Sequence, residues 1–65
     1  MENVTISKDH ASYGGCRGTV IQSAEATGLL GEWYRVYLPP QDTPTGVIRF
    51  GTSWHFEERH INEEG

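Results

Sequence analysis

Glycine and proline limit this chain more than any other feature. Eight glycines and three prolines are scattered along it and cut it into short segments. The one stretch whose composition invites a helix, Glu25 to Gly31 with Ala24, Ala26, Leu29 and Leu30 around it, is interrupted by Gly28 and Gly31. Glycine costs roughly 1 kcal/mol in a helix interior and a helix of about one turn does not sustain itself, so this stretch reads as a hairpin loop. What remains is a set of short segments, the pattern of a small β domain.

The strands follow from alternation and β-branching. Val4 and Ile6 alternate with polar neighbours over Asn3 to Ser7, which predicts a half-buried strand. Asp9 to Gly15 is a loop by composition. Arg17 to Ser23 is β-branched at its centre and predicts a second strand, with Gly18 permitting a bend or a close backbone approach. Glu32 to Leu38 is the clearest strand, aromatic and β-branched, and Pro39-Pro40 stop it. Gln41 to Gly46, containing Pro44, reads as a turn. Val47 to Phe50 reads as a fourth strand ended by Gly51. Ser53 to Glu58 predicts a single helical or 3₁₀ turn, because Ser53 can cap it. Arg59 to Ile61 would be a short fifth strand, and residues 62–65 a frayed acidic tail.

Side chains on a strand alternate between two faces. Tyr34, Val36 and Leu38 share one side of the third strand, and Trp33, Arg35 and Tyr37 share the other. Placing the aliphatic set inside puts Ile48 and Phe50 inward on the fourth strand and Val47 and Arg49 outward. With Val4, Ile6, Val20, Phe56 and Ile61 the core holds about ten side chains, each contributing roughly 1.5–3 kcal/mol on full burial. Conformational entropy cancels most of that gain.

A chain of 65 residues holds one domain with one thin core, and chains this short commonly rely on disulfides, a metal or a partner subunit. Cys16 is the only cysteine, so no intrachain disulfide forms, and a lone thiol suits a reducing compartment such as the cytosol. His10, His55 and His60 with Cys16 match no paired zinc-ligand spacing, so no metal and no cofactor is expected. Self-association is the remaining source of added stability. No apolar run approaches the roughly 20 residues that cross a bilayer, and the polar stretch Met1 to Asp9 lacks a signal-peptide core. A cytoplasmic protein without membrane partners is therefore expected. The formal net charge is −4, from nine acids and five bases. One Lys and four Arg cannot build the broad basic face that duplex nucleic acid requires.

Four segments in order, Gly15 to Ile21, Trp33 to Leu38, Val47 to Phe50 and Phe56 to Ile61, resemble the layout of SH3-like small barrels. The pattern covers nearly the whole chain. It is similar to KOW-type modules, in which a Gly-Thr-Val strand precedes a strand carrying an inward Val and a closing turn ends the barrel. The ending Glu58-Arg59-His60-Ile61-Asn62 also resembles the plasmid-type (type II) dihydrofolate reductases, barrels that work as homotetramers around a shared pore. That family carries a Val-Gln-Ile-Tyr motif where this chain reads Val47-Ile48-Arg49-Phe50. The resemblance therefore implies an all-β, SH3-like five-stranded barrel with a short 3₁₀ turn before its last strand, and not the reductase chemistry. Fold of this kind selects no function by itself.

The candidate functional residues lie on the surface. Trp33, Arg35 and Tyr37 form an outward stripe beside Val47 and Arg49 if the third and fourth strands pair, and aromatic and Arg side chains dominate binding hot spots. The same aromatics would otherwise cover the barrel end beneath its loops. Trp54 and His55, near Tyr13, form either an aromatic ledge or, as the short core favours, a plug in which Trp54 fills the barrel bottom. Glu57, Glu58 and His60 have the chemistry of an acid/base group, but no nucleophile or oxyanion donor completes a site, so they read as a solvated turn and no catalytic residue is assigned. Cys16 reads as a small buried residue at a strand start. Gly14 to Gly18 lacks the Lys and the strand-to-helix setting of a phosphate loop.

Three functional expectations follow. The first is a non-enzymatic module that docks on a protein partner, or on itself, through Trp33, Arg35, Tyr37, Val47 and Arg49. The second is a homo-oligomer holding a small planar or anionic ligand between subunits. The third is a single-stranded nucleic-acid binder that stacks bases on the aromatics.

Overall fold

The computed structural model describes residues 2–22 and 33–63. The expected loop at Glu25 to Gly31 and the end of the tail at 64–65 lie outside those residues. The described chain is all-β. Its strands are β1 (Asn3–Ile6), β2 (Arg17–Gln22), β3 (Trp33–Leu38), β4 (Gln41–Thr43), β5 (Gly46–Ile48), β6 (Thr52–Glu57) and β7 (Ile61–Glu63), with a 3₁₀ turn at Glu58–His60. A five-stranded antiparallel sheet runs in the order β6-β3-β2-β1-β7, and β4 and β5 form a separate two-stranded hairpin.

This order forces the sheet to roll up. β6 and β7 occupy opposite edges, yet only the three residues of the 3₁₀ turn connect them. A 3₁₀ turn advances about 2 Å per residue, or roughly 6 Å here, whereas a flat five-stranded sheet would separate its edges by about 19 Å. The edges must curve towards each other around a common interior. That interior holds Val4, Ile6, Val36, Leu38 and Phe56, all 0% exposed, with Cys16 beside them. Tyr13, Val20, Ile48 and Ile61 pack against this cluster.

Gly18 on β2 lies close against β3. A Cβ at this position would lie 2.5 Å from Cγ1 of Val36 and 2.6 Å from the carbonyl oxygen of Tyr37, distances no side chain tolerates. Of the two roles that the sequence allowed Gly18, a bend or a close backbone approach, the contacts show the close approach. Further along, the β2–β3 register shifts between Val20 and Gln22, the mark of a β-bulge that adds local twist. Gln41 ties β4 to the start of β2: its amide donates to the carbonyls of Arg17 (2.8 Å) and Pro39 (3.0 Å), and its Oε1 accepts the Arg17 N–H (2.9 Å).

The second half of the chain departs from the sequence reading. Gln41 to Gly46 is a hairpin instead of a plain turn, because β4 pairs with β5 across residues 44–45. The partner of β3 is β6, paired from Trp33↔Glu57 through Leu38↔Thr52, so the segment expected to turn at Ser53 to Glu58 is mostly a strand. Phe56 on β6 enters the core, while Phe50, assigned inward, is 88% exposed in the bend after β5. The 3₁₀ turn takes Glu58–His60, and the final strand is displaced to Ile61–Glu63, where Val4↔Glu63 and Ile6↔Ile61 pair. Asn62 and Glu63 are therefore strand residues, not frayed tail. Among the described residues no helix is long and apolar enough to cross a membrane.

Candidate functional site

Two surfaces gather the candidate residues. The first is the outer face of the sheet. Residues directly opposite in an antiparallel ladder share a face, so the registers place Thr5 beside Arg17, Thr19 beside Tyr37 and Ser53, Gln22 beside Arg35 and His55, and Trp33 beside Glu57. The alternation read from β3 holds: Val36 and Leu38 are fully buried, while Tyr37 on the opposite side is 41% exposed and Trp33 and Arg35 are half-buried. The Tyr37 hydroxyl lies over Gly51, whose φ of +41° is left-handed backbone that glycine adopts without strain. A cleft of about 390 Å³ opens on this face, lined by Asn3, Arg17, Gly18, Thr19, Tyr37 and Pro39.

Arg35 is the unusual group of the outer face. Its Nη1 is buried and, among the described residues, has no hydrogen-bond partner. Buried polar atoms are almost always hydrogen-bonded, and a buried donor left without an acceptor costs free energy, more so when it carries charge. The acid nearest by register, Glu57, is instead paired with Arg59 at 3.4 Å in an exposed salt bridge, of the kind that contributes little to stability.

The second surface is a cluster of rings between the loop at residues 7–16, β6 and the 3₁₀ turn. The His10 ring lies 5.0 Å from Phe56 and 5.2 Å from His60, both edge-on, and 5.8 Å from Tyr13. Tyr13 in turn lies 5.7 Å from Phe56 and 6.4 Å from Trp54. The loop is folded onto the sheet by backbone bonds, Ser7 N–H to His60 O at 2.7 Å and Gly15 N–H to Ile6 O at 2.8 Å. His10 organises its turn, for Nδ1 accepts the backbone N–H groups of Ser12 (3.3 Å) and Tyr13 (3.1 Å). Burial and then the neighbouring His60 hold the His10 imidazole below the ordinary histidine range, consistent with a ring that works as an acceptor.

Trp54 lies on this second surface beside Tyr13. It is 54% exposed, and Phe56 fills the interior in the role that the plug reading gave to Trp54. His55 points the other way, across from Arg35. Val47 and Arg49 do not join the β3 stripe. β5 pairs with β4, which puts Val47 opposite Asp42, and Arg49 follows in an exposed bend. The position beside Arg35 is taken by His55, a residue that the sequence assigned to the other cluster.

The remaining candidates are structural in this arrangement. Cys16 is buried, its thiol 3.9 Å from the Asp42 carbonyl, and burial pushes its pKa up, which keeps it a thiol of low reactivity. Glu57 is engaged by Arg59, and His60 stacks edge-on with His10. Among the described residues no group of three His, Cys, Asp or Glu side chains could hold a metal ion. His10 was not singled out from the sequence; an isolated histidine in a polar loop gives no signal that it will accept two backbone bonds. The chain matches no protein-family model, no curated protein and no solved structure at a significant level.

Proposed function

We propose that this chain is a non-enzymatic binding module that docks a protein partner on the outer face of its sheet, through Trp33, Arg35 and Tyr37 on β3 with His55 across on β6. The observation that carries this reading is the buried Arg35 Nη1, which has no acceptor among the described residues. A partner whose acceptor draws the half-buried Arg35 guanidinium outward would relieve a cost that the isolated domain bears, and the flanking aromatics offer contact area with little entropy to lose. The SH3-like layout is compatible with this role, since such small barrels present an extended sheet face beside their loops.

The test is a selection of displayed random peptides on the wild-type chain, repeated on Trp33→Ala and Tyr37→Ala. Peptides enriched on the wild type and lost on both variants support docking on this face. Enrichment that both variants retain would place the contact elsewhere and end this proposal.

A further inference from the structure

Resting on that reading, we infer that the docked segment is an extended acidic peptide whose carboxylates, about four residues apart, pair with Arg35 and Arg17. The spacing comes from the sheet. Thr19 and Tyr37 are directly opposite, Arg17 lies two positions from Thr19 in one direction, and Arg35 lies two positions from Tyr37 in the other. The two guanidinium-bearing positions are thus four residue steps apart on one face, about 13 Å along the strand direction at 3.3 Å per residue. An extended peptide has the same rise, so acids at i and i+4 reach both. Tyr37 sits between them, and the 390 Å³ cleft receives the Arg17 end against Asn3, Thr19 and Pro39.

Charge argues for the same occupant. Among the described residues the direct cross-strand neighbours of the two arginines are Thr5, Gln22 and His55, none of them anionic. Among the described residues neither Arg17 nor Arg35 has a salt bridge, and the one acid on the face, Glu57, is held by Arg59. Among the described residues the two guanidinium groups have no counterion and one has a buried unpaired N–H, so they form a locally cationic strip on a chain whose formal net charge is −4. Guanidinium recognises carboxylate through paired, charge-assisted hydrogen bonds. A nucleic acid strand offers the same kind of acceptor, but it brings a continuous row of phosphates, and two arginines on an acidic domain neutralise too few of them. One or two carboxylates on a peptide match the supply.

The test reads the composition of the peptides selected above, then the affinity of one synthetic peptide carrying the enriched sequence. The expected result is enrichment of Asp or Glu at positions i and i+4, and binding that weakens between 50 and 500 mM NaCl, a range wide enough to screen exposed charge pairs (roughly tenfold in salt). Arg35→Gln is expected to weaken binding at least about tenfold, and Arg17→Gln by a smaller factor because it is exposed. If Arg35→Gln does not fold by circular dichroism, Arg35→Lys, which keeps the charge and loses the forked geometry, replaces it with the same expected direction. Enriched peptides without acids, or affinity unchanged in the Arg35 and Arg17 variants, would overturn the carboxylate inference while leaving a peptide-binding face. No enrichment at all would remove both proposals, and salt-sensitive binding of an oligothymidine in that case would assign the strip to nucleic acid.

Discussion

The outer sheet face and the ring cluster beside the 7–16 loop offer similar side chains to solvent. Each has an aromatic pair, a histidine and neighbouring charge. They differ in how far their polar valences are met from within. In the ring cluster, His10 Nδ1 takes two backbone N–H groups, each ring has ring neighbours, and Phe56 beneath them is fully buried. On the outer face, Arg35 carries a buried nitrogen from which no described residue accepts a hydrogen bond. Exposed aromatics alone therefore do not separate a scaffold from a docking surface in so small a domain. An unsatisfied buried donor does, because the free energy that it costs is recoverable only from outside.

The sharpest way to break this contrast is through the ring cluster. If its rings are scaffold, Phe56→Ala should cost about 3–5 kcal/mol, the range for removing a buried aromatic, enough to leave a domain of this size largely unfolded in thermal or urea titration. A folded Phe56→Ala with a small loss would mean that the cluster is not what holds the loop to the sheet. Arg35→Met should move the other way. It removes the orphan donor and keeps the apolar stem, so stability should rise by roughly 1 kcal/mol, read as a melting temperature higher by about 5 °C, while peptide binding is lost. A lower melting temperature would show that Arg35 is satisfied in solution and belongs with the scaffold.

A smaller effect is expected from pH. The folded-state pKa of His10 lies below the ordinary 6.5, with burial as the main cause and His60 as the second. The unfolded chain therefore takes up its proton first, so this histidine leaves stability level above pH 6.5 and lowers it as the pH falls from there towards the folded-state pKa. The Tyr13 and Phe56 rings pack beside it. His10→Asn supplies an acceptor that does not titrate and should flatten the dependence of melting temperature on pH below 6.5; an unchanged slope would point to a different group. The smallest effect is expected at Phe50. At 88% exposure, Phe50→Ser should change stability by no more than about 0.5 kcal/mol, and a larger loss would return it to the interior where alternation had placed it.

These residues also show what the chain's own pattern could convey. β1, β2 and β3 were legible because each carries alternation over consecutive residues, and the inward Val4, Ile6, Val36 and Leu38 are buried as read. The partner of β3 was not legible. Thr52–Glu57 alternates as a strand does, with Trp54 and Phe56 on one side, but Ser53 followed by Glu57 also suits a capped turn, and the two readings are locally close. The open long edge of β3 settles it in favour of a strand, and that is information from residues far away in the sequence. Placing Val47–Phe50 beside β3 followed from adjacency along the chain, and it moved Val47 and Arg49 onto the candidate face in error. The Trp33, Arg35 and Tyr37 stripe was correctly placed outward, whereas His55 beside Arg35 required the observed register. The Gln41 bonds that anchor the β4–β5 hairpin leave no periodic trace at all.

The ladder between β1 and β7 sets Val4 against Glu63 and Ile6 against Ile61. During synthesis β1 must wait for residues 61–63 before its outer edge is covered, so the rolled sheet cannot be completed piecemeal as the polypeptide emerges. Its folding rate is governed by the time that segments more than fifty residues apart, such as Ile6 and Ile61, take to find each other, the slow regime expected of topologies rich in distant pairings.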